Sequence, residues 1–207
     1  RSDKSPSSSF FRSSRDNKVL DGLNIKTGKG LEIGPSHNPV APKSKGFNVE
    51  IVDHLDQEGL IQKYKAHPGI DITKIEEVDY IWDGRPISEV VGRTECYDWI
   101  IASHVIEHTP CLVTFLQQCQ YLLKDNGILS LVVPDKRFCF DFFHEISLIG
   151  EVLDAYIDGK QRPSPGKVYE NLANSVNLNG KIAWSSDEKK FDFKLNHDAE
   201  NAKSLFV

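Results

Sequence analysis

Two acids and one glycine carry the first chemical signal in this 207-residue chain. Glu32 lies in the apolar run Gly30-Leu31-Glu32-Ile33, which stops at Gly34 and passes into Pro35-Ser36-His37-Asn38-Pro39. A short β-capable run that ends on a glycine reads as a buried strand entering a tight turn. About 20 residues further on, a second apolar run, Val49-Glu50-Ile51-Val52, ends on Asp53-His54. In a doubly wound sheet, ligands bind beyond the carboxyl ends of the strands, where the strand order reverses. A glycine after the first strand lets backbone approach a ligand, and an acid after the second can accept both hydroxyls of a ribose. The pairing points to a nucleoside-containing cofactor.

The turn favours S-adenosylmethionine over a dinucleotide. Such a site needs G-x-G-x-x-G opening a helix toward a pyrophosphate, and this turn has no second or third glycine. Glu32, two residues before Gly34, would repel a pyrophosphate but attract the cationic amino group of a methionine. S-adenosylmethionine, leaving S-adenosylhomocysteine as product, is therefore the expected cofactor. Its candidate contacts are Glu32, Gly34, Pro35, Ser36, Asn38, Asp53, His54, Ser103 and His104.

The chain resembles the class I S-adenosylmethionine-dependent methyltransferases at this point, whose first motif is an acid-x-Gly closing strand one. The likeness extends through residues 97–108, similar to the family's fourth strand, and 122–134, similar to its fourth helix end, glycine turn and fifth strand. It covers roughly residues 28–136. The resemblance implies a Rossmann-like α/β fold, a mostly parallel sheet with helices on both faces. It also implies that Asp83, just after strand three, holds the adenine amino group, and that a substrate lid follows strand five.

His104-Val105-Ile106-Glu107-His108 reads H-x-x-E-H, the inverted zinc-peptidase pattern. Zinc would need both histidines on one helical face. Here His104 follows an apolar strand directly and Thr109-Pro110 ends any helix at once. The tract reads instead as a loop beside the cofactor's sulfonium, and no metal is expected. Methyl transfer from a sulfonium is an in-line displacement that rests on positioning. A hydroxyl acceptor gains further from a general base. His104 and His108 are the candidates for that base, with Asp135 after strand five, and Lys136-Arg137 are placed to meet an anionic acceptor group. A zinc hydrolase and a non-catalytic cofactor-binding scaffold are the competing readings.

The positioning elements follow from the pattern. Expected are a short helix within 17–25, strands at 30–33, 49–52, 78–82, 99–103 and 128–133, and helices at 56–67, 86–91 and 110–124. Beyond them, helices are expected at 147–157 and from 197, with a loop over 161–186. Pro35, Pro39 and Pro42 forbid the long helix that usually follows strand one. Residues 1–16 read as a flexible arm, 17–136 as the cofactor-binding core, 137–195 as a lid or insert and 196–207 as the start of a further core helix. The closing β-hairpin of the fold is expected to lie beyond the chain.

Hydrophobic residues at 39% and charged residues at 27% are ordinary for a globular domain. A net charge of −5 gives no basic footprint for nucleic acid. No apolar run reaches the ~20 residues of a membrane helix, and the polar N-terminus is not a signal peptide. Cys96, Cys111, Cys119 and Cys139 form no C-x-x-C pair and read as reduced core cysteines of a cytoplasmic protein. The aromatic run Phe138, Phe140, Phe142 and Phe143 reads as core, or as a stacking surface for a sugar. The acceptor is expected to be a small molecule or a glycan, the latter by analogy with methyltransferases of surface-polysaccharide pathways. The oligomeric state is left open.

Overall fold

The computed structural model describes residues 14–178, 181–182 and 194–206. Its centre is a five-stranded, all-parallel sheet in the order β3-β2-β1-β4-β5. The strands are β1 (Gly30–Ile33), β2 (Val49–Asp53), β3 (Tyr80–Ile81), β4 (Tyr97–Ser103) and β5 (Leu123–Val132). The order reverses between β1 and β4, so the crevice above their carboxyl ends is the ligand-binding position of the topology. This is a Rossmann-like, doubly wound parallel sheet, as expected.

β-Branched and aromatic side chains alternate across the two faces. Leu31, Ile33, Ile100 and Ala102 point toward one layer, where α3 (Ile87–Val91) and α4 (Leu112–Leu122) bury Ile87, Val91, Phe115, Cys119 and Leu122. Trp99 and Ile101 point to the other, beneath Val19, Leu20 and Leu23 from and just after α1 (Ser14–Leu20). Gly30 has no room for a side chain, because a Cβ there would lie 2.1 Å from the buried Trp99 ring. The absence of a side chain on β1 lets the indole fill that face.

Pro35, Pro39 and Pro42 leave 34–48 without an α-helix; a single 3₁₀ turn, Lys43–Lys45, is all that forms. Val40 and Ala41 nevertheless cover the sheet, fully or nearly fully buried. Their amides, which a helix would satisfy internally, need acceptors from elsewhere.

Four boundaries differ from expectation. α1 starts at Ser14, three residues before the expected helix, so 14–16 belong to an ordered element; the rest of the expected arm, including Phe10-Phe11, lies outside the described residues. β3 is reduced to two residues. α4 stops at Leu122 and β5 begins at once, with Asn126 in the left-handed region and a register shift opposite 97–99. Asn126-Gly127, expected to end the helix, instead forms an irregularity within the strand. The expected 161–186 loop contains α6 (Pro165–Asn174), with Ser164 as N-cap and proline in its first turn. That Ser-Pro pair is a helix start rather than a loop signal.

The remaining helices are α2 (Gln57–Tyr64), α5 (Ile149–Ile157) and α7 (Ala199–Phe206). A small antiparallel sheet in the order β7-β6-β8 comprises β6 (Val176–Leu178), β7 (Lys181–Ile182) and β8 (Lys194–Leu195). No helix among the described residues is long and apolar enough to cross a membrane.

Candidate active site

The crevice is built by three strand ends. At β1, Gly34 adopts φ +63°, and its N–H donates to Val52 O at 2.7 Å. A Cβ at Gly34 would come within 3.1 Å of Val105 Cγ2, so β1 and the start of the post-β4 loop are closely apposed here. Ser36 is also left-handed, φ +49°, and its N–H donates to Asp53 Oδ2 at 2.9 Å. Asp53 ends β2 almost wholly buried, with Oδ1 accepting from the His54 amide at 2.8 Å and facing His54 Nδ1 at 2.6 Å. The acid thus ties the β1 turn to the β2 end, and its carboxylate sits at the rim of the crevice. His54 itself is exposed and touches Lys63 Nζ at 2.8 Å. Asn38 closes the turn through its N–H to Pro35 O, at 2.9 Å, with its side chain exposed.

At β4, His104 takes φ +56° and continues the ladder by donating its N–H to Val132 O at 3.0 Å. Left-handed backbone at a non-glycine residue costs about 1 kcal/mol or more. Two such residues, Ser36 and His104, stand on opposite sides of the crevice. His104 is half exposed, with Nδ1 at 3.3 Å from Glu107 Oε1, which leaves Nε2 as its open nitrogen. His108 is exposed on the 3₁₀ turn Ile106–His108, its N–H bonded to Val105 O at 2.9 Å. His104 lies at a left-handed bend and His108 on a 3₁₀ turn, not together on one helical face. Among the described residues no group of three His, Cys, Asp or Glu side chains is arranged to hold a metal ion.

Glu32 is placed differently from expectation. It stands between Ile51 and Ile101 on the α1 face of the sheet, 1% exposed, and both carboxylate oxygens accept backbone amides, Val40 N–H at 2.7 Å and Ala41 N–H at 3.0 Å. These are the amides left over by the prolines. Burial pushes its pKa up to about 7, against the pull of the two amides. Between about 4.5 and 7 the native protein keeps a proton that the unfolded chain has released, so stability falls as pH rises through that window. The shift amounts to about 3 kcal/mol. Denaturant unfolding at pH 5 and pH 8 should show this loss in the native protein, and Glu32→Gln should remove most of it. An unchanged difference between the two pH values in the variant would exclude Glu32 as its source.

Asp83 and Asp135 each have an arginine partner two residues on. Asp83 binds the Arg85 amide and both of its oxygens meet Arg85 Nε, at 3.1 and 2.9 Å. Asp135 caps the turn Lys136–Phe138 and pairs with Arg137 at 2.5 Å. Lys136 Nζ donates to the Phe142 carbonyl at 2.6 Å. Neither cation of Lys136-Arg137 is therefore presented bare to an acceptor. Phe140 and Phe142 are half-buried, whereas Phe138 and Phe143 are exposed.

One residue was missed from sequence. Arg15, in α1, donates from its guanidinium to Ser103 Oγ at the carboxyl end of β4 and lies within electrostatic reach of Glu32. Ser130 Oγ fastens the same helix to the sheet by donating to Val19 O at 2.7 Å. The signal available was the apolar spacing Val19, Leu20, Leu23, which marks a helix with one buried face. A fixed cation beside Ser103 gives the crevice the means to hold a carboxylate.

No protein-family model matches the chain. It is 28% identical over 126 residues to the mitochondrial ubiquinone biosynthesis O-methyltransferase of Mus musculus, a match covering 51% of this chain and 33% of that protein. The corresponding Homo sapiens protein is 32% identical over 92 residues, 44% of this chain and 24% of the relative. The chain therefore spans a quarter to a third of the length of these curated relatives. Among solved structures, the methyltransferase CalH in complex with SAH superposes with a TM-score of 0.41 at 20% identity, covering 72% of this chain and 44% of that one. The DszA carbon methyltransferase gives 0.35 at 16% identity, covering 80% and 46%. Scores this low carry no inference. The sequence relatives and the strand order agree with the resemblance to class I methyltransferases.

Proposed function

We propose that this chain is the cofactor-binding part of an S-adenosylmethionine-dependent O-methyltransferase acting on a small hydroxyl compound. The observation that carries the reading is the buried Asp53 carboxylate at the end of β2, facing the glycine turn of β1 at the point where the sheet order reverses. The cofactor supplies an electrophilic methyl group on a sulfonium. The residues present fit it. Asp53 offers carboxylate oxygens to a ribose, Gly34 leaves space for close approach, and Arg15 stands ready for an α-carboxylate. Ser36, Asn38 and Pro35 form the turn that cradles it, with Ser103 opposite. Glu32 acts one step back, fixing the Val40-Ala41 stretch so that the turn before it keeps its shape.

His104 is assigned as general base. Glu107 holds Nδ1, so Nε2 takes the hydroxyl proton as the acceptor oxygen attacks. The O-methyltransferase relatives support a hydroxyl acceptor, and their name supports a small molecule over a polymer. A saccharide acceptor is the finer alternative. The free cysteines, two of them buried, support a reducing compartment such as the cytoplasm.

The test is transfer of a labelled methyl group to a panel of phenols, catechols and simple sugars. Label on a phenolic or catecholic oxygen supports the reading, label on sugars alone replaces the acceptor class, and none on any hydroxyl counts against O-methylation. Arg15→Ala should weaken S-adenosylhomocysteine binding roughly tenfold, as expected for loss of a charge-assisted hydrogen bond. Adenosine binding should stay within twofold, because it lacks the carboxylate. Equal effects on both ligands would remove Arg15 from the carboxylate site.

A further inference from the structure

Beside the crevice, and lined by none of the residues assigned to the cofactor, lies a cavity of about 400 Å³. Its walls come from three separate segments: the turn after β3, the start of α4 and the stretch just after α5. Trp82, Pro86, Ile87, Pro110, Cys111 and Phe115 make it predominantly apolar. The volume falls at the lower end of the range for small-molecule sites.

The polar lining is specific. Trp82 Nε1 is already committed to Arg85 O at 2.7 Å, and the Thr114 hydroxyl to Cys111 Sγ at 3.1 Å. Gln118 Oε1 accepts from both the amide and the hydroxyl of Ser88, at 3.2 and 2.6 Å, which turns its NH₂ group away from Ser88. Two cations, Arg85 and Lys160, complete the lining. Each has an acidic neighbour: Asp83 engages Arg85 through Nε, and Asp158 lies 3.5 Å from Lys160. Both pairs are exposed and therefore weak. A ligand anion inside a mostly apolar site competes well against them, and the terminal guanidinium nitrogens of Arg85 face no partner among the described residues' hydrogen bonds. Flat apolar walls, one amide donor and two recruitable cations describe a ligand with a ring and one negative charge.

We propose that this cavity binds a small aromatic carboxylate, at a site separate from the cofactor crevice. The inference does not rest on the methyltransferase reading: the lining excludes Asp83 itself, although Trp82, Gly84 and Arg85 flank it, and competition with S-adenosylhomocysteine decides whether the two sites are distinct. The probe is 2-naphthoate, titrated into the full chain and followed by its fluorescence, with 2-naphthol as the neutral comparison.

Saturable binding is expected. The Arg85→Gln/Lys160→Gln double variant, which changes one exposed and one partly exposed side chain, should weaken naphthoate at least tenfold and leave naphthol within twofold. Thr114→Phe, which fills the cavity, should abolish both, with the melting temperature checked in parallel. Saturating S-adenosylhomocysteine should leave naphthoate affinity unchanged. Absence of binding, equal affinity of the double variant for naphthoate, or displacement by S-adenosylhomocysteine would each overturn the proposal. The last result would assign the cavity to the cofactor crevice, whereas failure of the cofactor to bind leaves the naphthoate result standing.

Discussion

Replacing His104 by asparagine should lower the methyl-transfer rate by about 10²–10³, within the range that a positioned general base contributes. Asparagine is the informative choice. It tolerates the left-handed backbone that His104 occupies at φ +56°, so the ladder bond from its N–H to Val132 O survives and the change is confined to the side chain. Affinity for S-adenosylhomocysteine should change less than threefold, because the loss belongs to proton removal and not to cofactor binding. The rate of the variant should rise with pH as the acceptor hydroxyl ionises unaided, and a pre-ionised acceptor should recover most of the loss. Glu107→Gln should give a smaller defect, since it only orients the ring. Full activity in the asparagine variant would show that positioning alone drives transfer, or that His108 carries the proton.

Asp53→Ala should cost about 100-fold or more in S-adenosylhomocysteine affinity. The carboxylate is buried, and it receives the amides of Ser36 and His54. Truncation removes the ribose acceptor and also frees two amide donors at the same corner, and a hydrogen bond to a charged group contributes about 1.5–3 kcal/mol. Asp53→Asn, which retains one acceptor oxygen, should lose less. Methionine alone makes no ribose contact, so its weak binding should be indifferent to either change. A loss shared equally by methionine would mean that Asp53 acts only by holding the turn.

The central sheet was largely legible in the sequence because its strands are local patterns. Leu31 to Ile33, Val49 to Val52 and Trp99 to Ser103 are short apolar runs bounded by turn residues, as buried parallel strands are. Gly34 was legible for the same reason. The prolines correctly ruled out the first helix. The consequence of that loss was not legible, because it is a contact between strands and loop: Glu32 turned inward to satisfy Val40 and Ala41. An acid on a strand looks the same in sequence whether it meets a ligand or two orphaned amides.

Arg15 was hidden for a related reason. A basic residue in a serine-rich stretch gives no sign of which strand end it will reach, and Ser103 lies 88 positions away. Asp83 and Asp135 show how a nearby arginine enters the picture. Each sits at a strand end as a site residue would, and each also meets an arginine two residues later at the exposed surface. Short-range pairing of that kind is readable in sequence once the D-x-R spacing is noticed. α6 was lost to its own composition, since Pro165 and Gly166 beside Ser164 look like a loop until the serine is seen to cap the helix.

The most direct test of the account is a calorimetric titration of S-adenosylhomocysteine into the folded chain. One-to-one binding in the micromolar range, weakened by Asp53→Ala and by Arg15→Ala, is the predicted result. A folded chain that takes up no S-adenosylhomocysteine at millimolar concentration would contradict the cofactor assignment, and with it the methyltransferase reading.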